Sequence, residues 1–131
     1  MDLNEFSRKV HQNAVEHGWW DEPRSFPEIV ALCHSELSEA LEEYRKGRPI
    51  EYTVCTGCPY EATPGMNCIN LDRCKDADYR DKPEGIAVEM ADTIIRILDW
   101  CGKENIDIEA VLERKHEYNK TRSYRHGGKK L

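Results

Sequence analysis

The sequence lacks any long hydrophobic run. No stretch approaches the roughly 20 consecutive apolar residues that a membrane-spanning helix requires, so we expect no membrane segment. Residues 1–5 are polar and acidic, and no apolar run follows them. Because a secretory signal peptide begins with positive charge and continues with an apolar run, we expect a cytoplasmic protein.

Glycine-rich phosphate loops, convincing strand patterns and internal repeats are also absent from the sequence. Neither G-x-x-x-x-G-K-S/T nor G-x-G-x-x-G occurs, which argues against P-loop and dinucleotide-binding folds. A net charge of −6 argues against a general affinity for the nucleic acid backbone. The 131 residues fit one domain, and only 39% are hydrophobic, so burial between subunits is expected to supplement a small core.

Apolar residues spaced by three and four predict an all-α fold. Ser25 and Glu28 have capping-box spacing at the start of the second helix. Asp81 and Glu84 repeat that spacing before the third helix, and Asp107 is a possible N-cap of the fourth. The four predicted helices span about 4–17, 25–46, 81–102 and 108–122.

Residues 50–82 interrupt this pattern and are interpreted as an irregular, cysteine-rich insertion between the second and third helices. Cys55 and Cys58 have C-x2-C spacing, and Cys68 and Cys74 follow. Four thiolates can bind Zn²⁺ tetrahedrally and organise a short segment that has no core of its own. The sequence leaves two alternatives open, disulfides or redox-active thiols on one hand and an unligated loop on the other.

Two helices each carry an acidic pair on an otherwise apolar background. Glu36 and Glu39 lie three residues apart in the second helix, and Glu89 and Asp92 do so in the third. Carboxylates at core-facing positions are costly unless a cation meets them. Four hard oxygen donors therefore predict a Mg²⁺ or Mn²⁺ site. Neither pair has the E-x-x-H pattern of a ferritin-like di-iron site.

The C-terminal segment concentrates positive charge in an acidic protein. Lys115, Asn119 and Arg122 are spaced by four and three, and His126 and Lys129 follow. The interpretations are a segment that contacts phosphates and a solvated, frayed terminus. Trp20 also has two interpretations: it seals the end of the core, or it stacks on a flat ligand such as a base.

These motifs together resemble the MazG-like, all-α nucleoside triphosphate pyrophosphohydrolases. The resemblance covers nearly all of the chain except residues 50–82. It is carried by Glu36-Leu-Ser-Glu39, Glu89-Met-Ala-Asp92, His17-Gly-Trp-Trp, Ser25-Phe-Pro-Glu-Ile and the segment from Lys115 to Lys130. It implies a single helical domain over residues 1–131, built as a four-helix bundle that forms a homodimer or homotetramer.

The resemblance also implies an activity, namely hydrolysis of (d)NTP between the α and β phosphates to (d)NMP and pyrophosphate. The implied Mg²⁺ ligands are Glu36, Glu39, Glu89 and Asp92. Glu43 is a candidate for a further ligand or a water-orienting base. The candidate substrate-binding residues are Trp20, Lys115, Asn119, Arg122, His126 and Lys129. The competing hypothesis is a non-enzymatic, zinc-organised dimeric interaction module.

Overall fold

The computed structural model describes residues 1–55 and 81–130 of the chain. The described part is mostly helical, as the all-α prediction requires, with one short antiparallel ladder. Its elements are α1 (Leu3–Glu16), α2 (Phe26–Arg45), β1 (Tyr52–Cys55), β2 (Asp81–Glu84), α3 (Ile86–Lys103), α4 (Ile108–Lys120) and α5 (Arg125–Gly128). Among these helices, none has the length and apolar character needed to cross a bilayer.

The predicted capping signals of two helices are confirmed. At the start of α2, the Ser25 hydroxyl accepts a hydrogen bond from the Glu28 backbone N–H, and the Glu28 carboxylate accepts one from the Ser25 N–H. At the start of α4, Asp107 accepts from the backbone N–H of Ala110 at 3.0 Å. These caps satisfy backbone donors that a helix N-terminus otherwise leaves without a partner.

The predicted start of the third helix is wrong, as is the expectation that the chain forms no strand. Asp81–Glu84 is extended and pairs antiparallel with Tyr52–Cys55, and α3 begins only at Ile86. Gly85 separates the strand from the helix with a φ of +113°, and a Cβ there would lie 2.5 Å from the Ile50 carbonyl oxygen. Pairing between segments distant in sequence, together with this glycine, overrides the local capping signal.

The chain forms two compact units, each described by itself. The first comprises Met1–Pro23 and Leu98–Leu131, and the second comprises Arg24–Ile97. Helix α3 contributes residues to both. The prediction of one domain over residues 1–131 with an insertion at 50–82 stays a prediction.

The first unit joins α1 to the start of α4 through polar contacts. The Asn4 side-chain oxygen accepts from the Ile108 N–H at 3.0 Å, and Glu109 accepts from the Leu3 N–H at 2.6 Å. Ser7 is buried on α1, and its hydroxyl donates to the Leu98 carbonyl at 2.6 Å. These contacts bring the backbone of α1 close to the end of α3.

Gly102 provides a test of that close approach. A Cβ at this position would lie 2.6 Å from the Ser7 carbonyl oxygen and 2.8 Å from the His11 Cβ. Gly102→Ala is therefore expected to destabilise the protein by about 2 kcal/mol, as overpacking typically does. Alanine usually stabilises a helix relative to glycine, so an unchanged or higher unfolding midpoint in urea would contradict this prediction. Asn13→Ala, at an exposed position of α1, is the control.

The second unit has a small core and leaves large apolar side chains on α2 and α3 exposed. Ile29, Ala40 and Tyr52 are buried. The exposed apolar residues of the two helices include Leu37, Leu41, Tyr44, Met90, Ile94 and Ile97. Tyr44, which the sequence places on the same apolar face of α2 as Ile29, is 72% exposed. Burial within the chain therefore accounts for only some of the apolar residues that α2 and α3 carry.

Candidate metal centre

Three carboxylates meet where α2 and α3 face each other in the second unit. Glu36 comes from α2, and Glu89 and Asp92 come from successive turns of α3. One carboxylate oxygen from each lies within 4.8 Å of the others. The three residues could therefore hold a metal ion, and we call them the acidic cluster. The sequence predicted all three at one metal site, and it placed Glu89 and Asp92 on one helix face because i, i+3 positions are neighbours.

Glu89 is the most constrained member of the acidic cluster. It is only 7% exposed, and no described residue donates a hydrogen bond to its carboxylate. Burial, together with the negative charges of Glu39, Asp92, Glu36 and Glu84, raises its pKa to about 7. A buried carboxylate without a donor is unfavourable unless it is protonated or meets a cation.

Asp92 has a milder environment than Glu89. Burial raises its pKa, and the charge of Glu36 raises it further. The positive charges of Arg96 and Lys82 act in the opposite direction. The acidic cluster is therefore a region of negative potential that two cations only partly offset.

Arg96 was not assigned to the site from the sequence, although it lies one turn beyond Asp92 on α3. Its Nε donates to Glu36 Oε1 at 2.5 Å, and its Nη2 lies 2.5 Å from the same oxygen. The guanidinium thus contacts one carboxylate of the acidic cluster directly. The spacing from Asp92 was the available signal, but the contact with α2 depends on how the helices pair.

Lys82 was missed for a different reason, since no strand was predicted around it. It lies on β2 and forms an ion pair with Glu84, two residues further along the same strand. The charges of Glu84, Glu89 and Asp92 each raise the pKa of Lys82. The ladder therefore places this residue within electrostatic range of the acidic cluster.

The structure places neither Glu39 nor Glu43 among the three clustered carboxylates. Glu39 is exposed and is not one of the three clustered carboxylates, although its charge raises the pKa of Glu89. Glu43 is buried and accepts a hydrogen bond from the Tyr52 hydroxyl at 2.7 Å. Arg48 donates to the same hydroxyl at 2.9 Å. Glu43 thus links α2 to β1, and roles in metal binding or water orientation stay predictions for both residues.

Trp20 belongs to a polar network within the first unit. Its Nε1 donates to both carboxylate oxygens of Asp99, at 3.0 and 3.1 Å, and His11 Nδ1 lies 2.7 Å from Asp99 Oδ1. The Lys103 ammonium lies 5.4 Å from the centre of the Trp20 ring. These contacts give the indole an anchoring role in its unit, and stacking on a base stays a prediction.

The C-terminal candidates lie on α4 or beyond it, also in the first unit. Lys115, Asn119, Arg122, His126 and Lys129 are all exposed. His126 and Gly127 have positive φ values of 51° and 91°, so the backbone turns sharply within α5. Contact of these residues with phosphates stays a prediction.

The proposed zinc ligands fall almost entirely outside the described residues. Cys58, Cys68 and Cys74 lie within residues 56–80, and only the backbone of Cys55 is described, at the end of β1. The zinc prediction is therefore untested.

Comparisons with known proteins add no further constraint, since no protein-family model, curated protein or solved structure matches this chain.

Proposed function

We propose that this protein is a metal-dependent nucleoside triphosphate pyrophosphohydrolase of the MazG-like type, which converts (d)NTP to (d)NMP and pyrophosphate. The observation that carries the proposal is the buried carboxylate of Glu89. It has no donor among the described residues and lies beside two further carboxylates on facing helices. Such an arrangement is suited to a divalent cation, and the motifs around it resemble those of this enzyme family.

The donor set fits Mg²⁺ or Mn²⁺ better than a softer metal. Glu36, Glu89 and Asp92 offer only carboxylate oxygens, which these hard cations prefer. No histidine or cysteine belongs to the acidic cluster. Exposed Glu39 is proposed as a further carboxylate at the rim of the site, either as a ligand or through water.

The proposed mechanism assigns separate tasks to the chain's own residues. A bound Mg²⁺ would supply charge neutralisation at phosphate oxygens and would lower the pKa of a coordinated water. Glu36, Glu89 and Asp92 hold that ion, and a neighbouring carboxylate orients the attacking water. We assign binding of the phosphates or sugar to Lys115, Asn119, Arg122, His126 and Lys129, whose side chains are exposed. Trp20 is the candidate contact for the base.

The proposal includes assembly into a homodimer or homotetramer. The supporting observation is the exposed apolar surface of α2 and α3, of which Leu41 and Ile94 are 47% and 54% exposed. Contiguous apolar surface of this kind is characteristic of interfaces between subunits. The oligomeric state can be measured directly by sedimentation or light scattering.

The test of the proposed function is product analysis. The purified protein is incubated with a panel of NTPs and dNTPs with Mg²⁺, and the products are separated by anion-exchange chromatography. We expect equal amounts of nucleoside monophosphate and pyrophosphate, and no products when EDTA replaces Mg²⁺. Release of inorganic phosphate with a diphosphate would place cleavage at a different bond, and no turnover of any nucleotide would contradict the proposal.

The second candidate function is a non-enzymatic, zinc-organised interaction module, which the C-x2-C spacing of Cys55 and Cys58 favours. It predicts about one zinc ion per chain by elemental mass spectrometry, with loss of that zinc in a Cys55→Ser, Cys58→Ser variant. Zinc binding and hydrolysis are compatible. The metal count therefore tests the cysteine-rich segment, whereas the product analysis decides between the two functions.

A further inference from the structure

Arg96 contacts the acidic cluster directly and has no task in the function proposed above. Its Nε and Nη2 both lie 2.5 Å from one oxygen of Glu36, Oε1. No donor from the described part of the chain reaches the other oxygen, Oε2. Glu36 therefore has one oxygen held by a protein cation and one that remains available to a ligand.

We propose that Arg96 limits the acidic cluster to a single divalent cation and fixes Glu36 as a ligand through one oxygen. The inference rests on the metal-binding part of the proposed function and is independent of the reaction catalysed. Arg96 is a positioning residue in this proposal because it acts through Glu36.

The location of the single cation is indicated by Glu89. The residue is 7% exposed, and its carboxylate has no hydrogen-bond donor among the residues that the structure describes. It lies beside Glu36 and Asp92, with oxygens of all three within 4.8 Å. A cation in this position satisfies a buried charge that no described residue neutralises.

The charge balance of the cluster favours one ion over two. When ionised, Glu36, Glu89 and Asp92 together with the Arg96 guanidinium carry two net negative charges, and exposed Glu39 beside them adds a third. One divalent cation therefore leaves one negative charge, whereas a second would leave one positive charge uncompensated in a partly buried site, which is costly. Lys82 and Glu84 pair with each other and so add no net charge.

The geometry at Glu36 leads to the same conclusion. Paired metal ions in enzymes lie about 3.5–4 Å apart, a distance that one carboxylate can bridge by giving one oxygen to each ion. At Glu36 the guanidinium binds Oε1 and so weakens that oxygen as a metal ligand, whereas Oε2 has no donor among the described residues. Removal of the guanidinium would restore both oxygens and one negative charge.

The experiment counts Mn²⁺ ions bound without nucleotide, by electron paramagnetic resonance of free Mn²⁺ at pH 8. The proteins are the wild type, Arg96→Met and Arg96→Lys. Each is compared with the same protein carrying Glu89→Gln, so that only ions lost with Glu89 are counted. We expect one ion in the wild type and in Arg96→Lys, which keeps the charge. We expect two ions in Arg96→Met, with the first bound about tenfold more tightly because a nearby positive charge is gone.

Two ions in the wild type, or one in folded Arg96→Met, would overturn the inference. Circular dichroism establishes whether Arg96→Met folds, and Arg96→Gln replaces it if it does not. An absence of any ion that depends on Glu89 would contradict the metal site itself. Hydrolysis is measured separately, so failure of the single-ion inference can be distinguished from failure of the proposed enzymatic function.

Discussion

Replacement of Glu89 by glutamine is expected to reduce both Mn²⁺ affinity and NTP hydrolysis by at least about a hundredfold. The carboxylate is buried beside Glu36 and Asp92 and is one of the three that could hold the ion. Substitutions of groups that merely support a metal ligand already cost about 10- to 100-fold in affinity or activity. Loss of a ligand should cost more. Asp92→Asn is expected to behave in the same way.

The matched control is Glu42→Gln, which removes a carboxylate from an exposed position of α2. Glu42 pairs with Arg45 on the surface at 3.0 Å, an interaction of little energetic weight. Metal affinity is measured by calorimetric titration, and hydrolysis by pyrophosphate release at saturating Mg²⁺. If Glu89→Gln retains wild-type values in both assays, the assignment of the metal site is incorrect.

The same substitution is expected to stabilise the protein when metal is absent. The pKa of Glu89 is raised from 4.5 to about 7 in the folded protein, so the folded state binds this proton more firmly than the unfolded state does. Stability of the metal-free wild type therefore falls as the pH rises from about 4.5 to 7, and the penalty is complete above that range. At pH 8, Glu89→Gln should be more stable than the wild type by about 3 kcal/mol.

The charges that act on Glu89 come from three elements of the second unit. Glu36 and Glu39 belong to α2, Asp92 to α3, and Glu84 to β2, and each raises its pKa in addition to burial. Lys82, on β2, is the cation whose own pKa Glu89 raises in return. The pH dependence is thus a property of the whole acidic cluster, and it is measured through Glu89, the member whose pKa rises to about 7.

Urea unfolding in EDTA at several pH values between 5 and 8 measures this effect. The stability difference between Glu89→Gln and the wild type should grow as the pH rises across that range. Saturating Mn²⁺ should reverse the order, since only the wild type gains free energy from binding the ion. Equal stabilities at pH 8 without metal would show that Glu89 is not destabilising when ionised. Glu42→Gln should show no comparable pH dependence.

Opposite effects of one substitution on stability and on activity would identify the acidic cluster as a functional site. Residues that serve packing alone generally destabilise a protein when they are changed. A carboxylate that destabilises the metal-free protein, yet is needed for metal binding, serves binding of the metal and not stability of the fold. This comparison requires only one variant and a chelator.

Local features of the structure could be predicted from the sequence. The capping box of Ser25 and Glu28 and the cap at Asp107 were predicted because a cap depends on residues three positions apart. The shared face of Glu89 and Asp92 followed from helical periodicity in the same way. The sequence alone therefore determined the main helices and the shared face of Glu89 and Asp92, whereas Glu39, which it also predicted as a ligand, is not among the three clustered carboxylates.

The tertiary structure decided the features that depend on contacts between distant residues. Asp81 has the local signal of an N-cap, yet its segment pairs with β1, because the ladder and the φ of Gly85 outweigh one capping interaction. Arg96 meets Glu36 only because α2 and α3 face each other. Glu43 meets Tyr52 because β1 returns to α2. Such contacts join residues far apart in the chain, and periodicity carries no information about which distant partners meet.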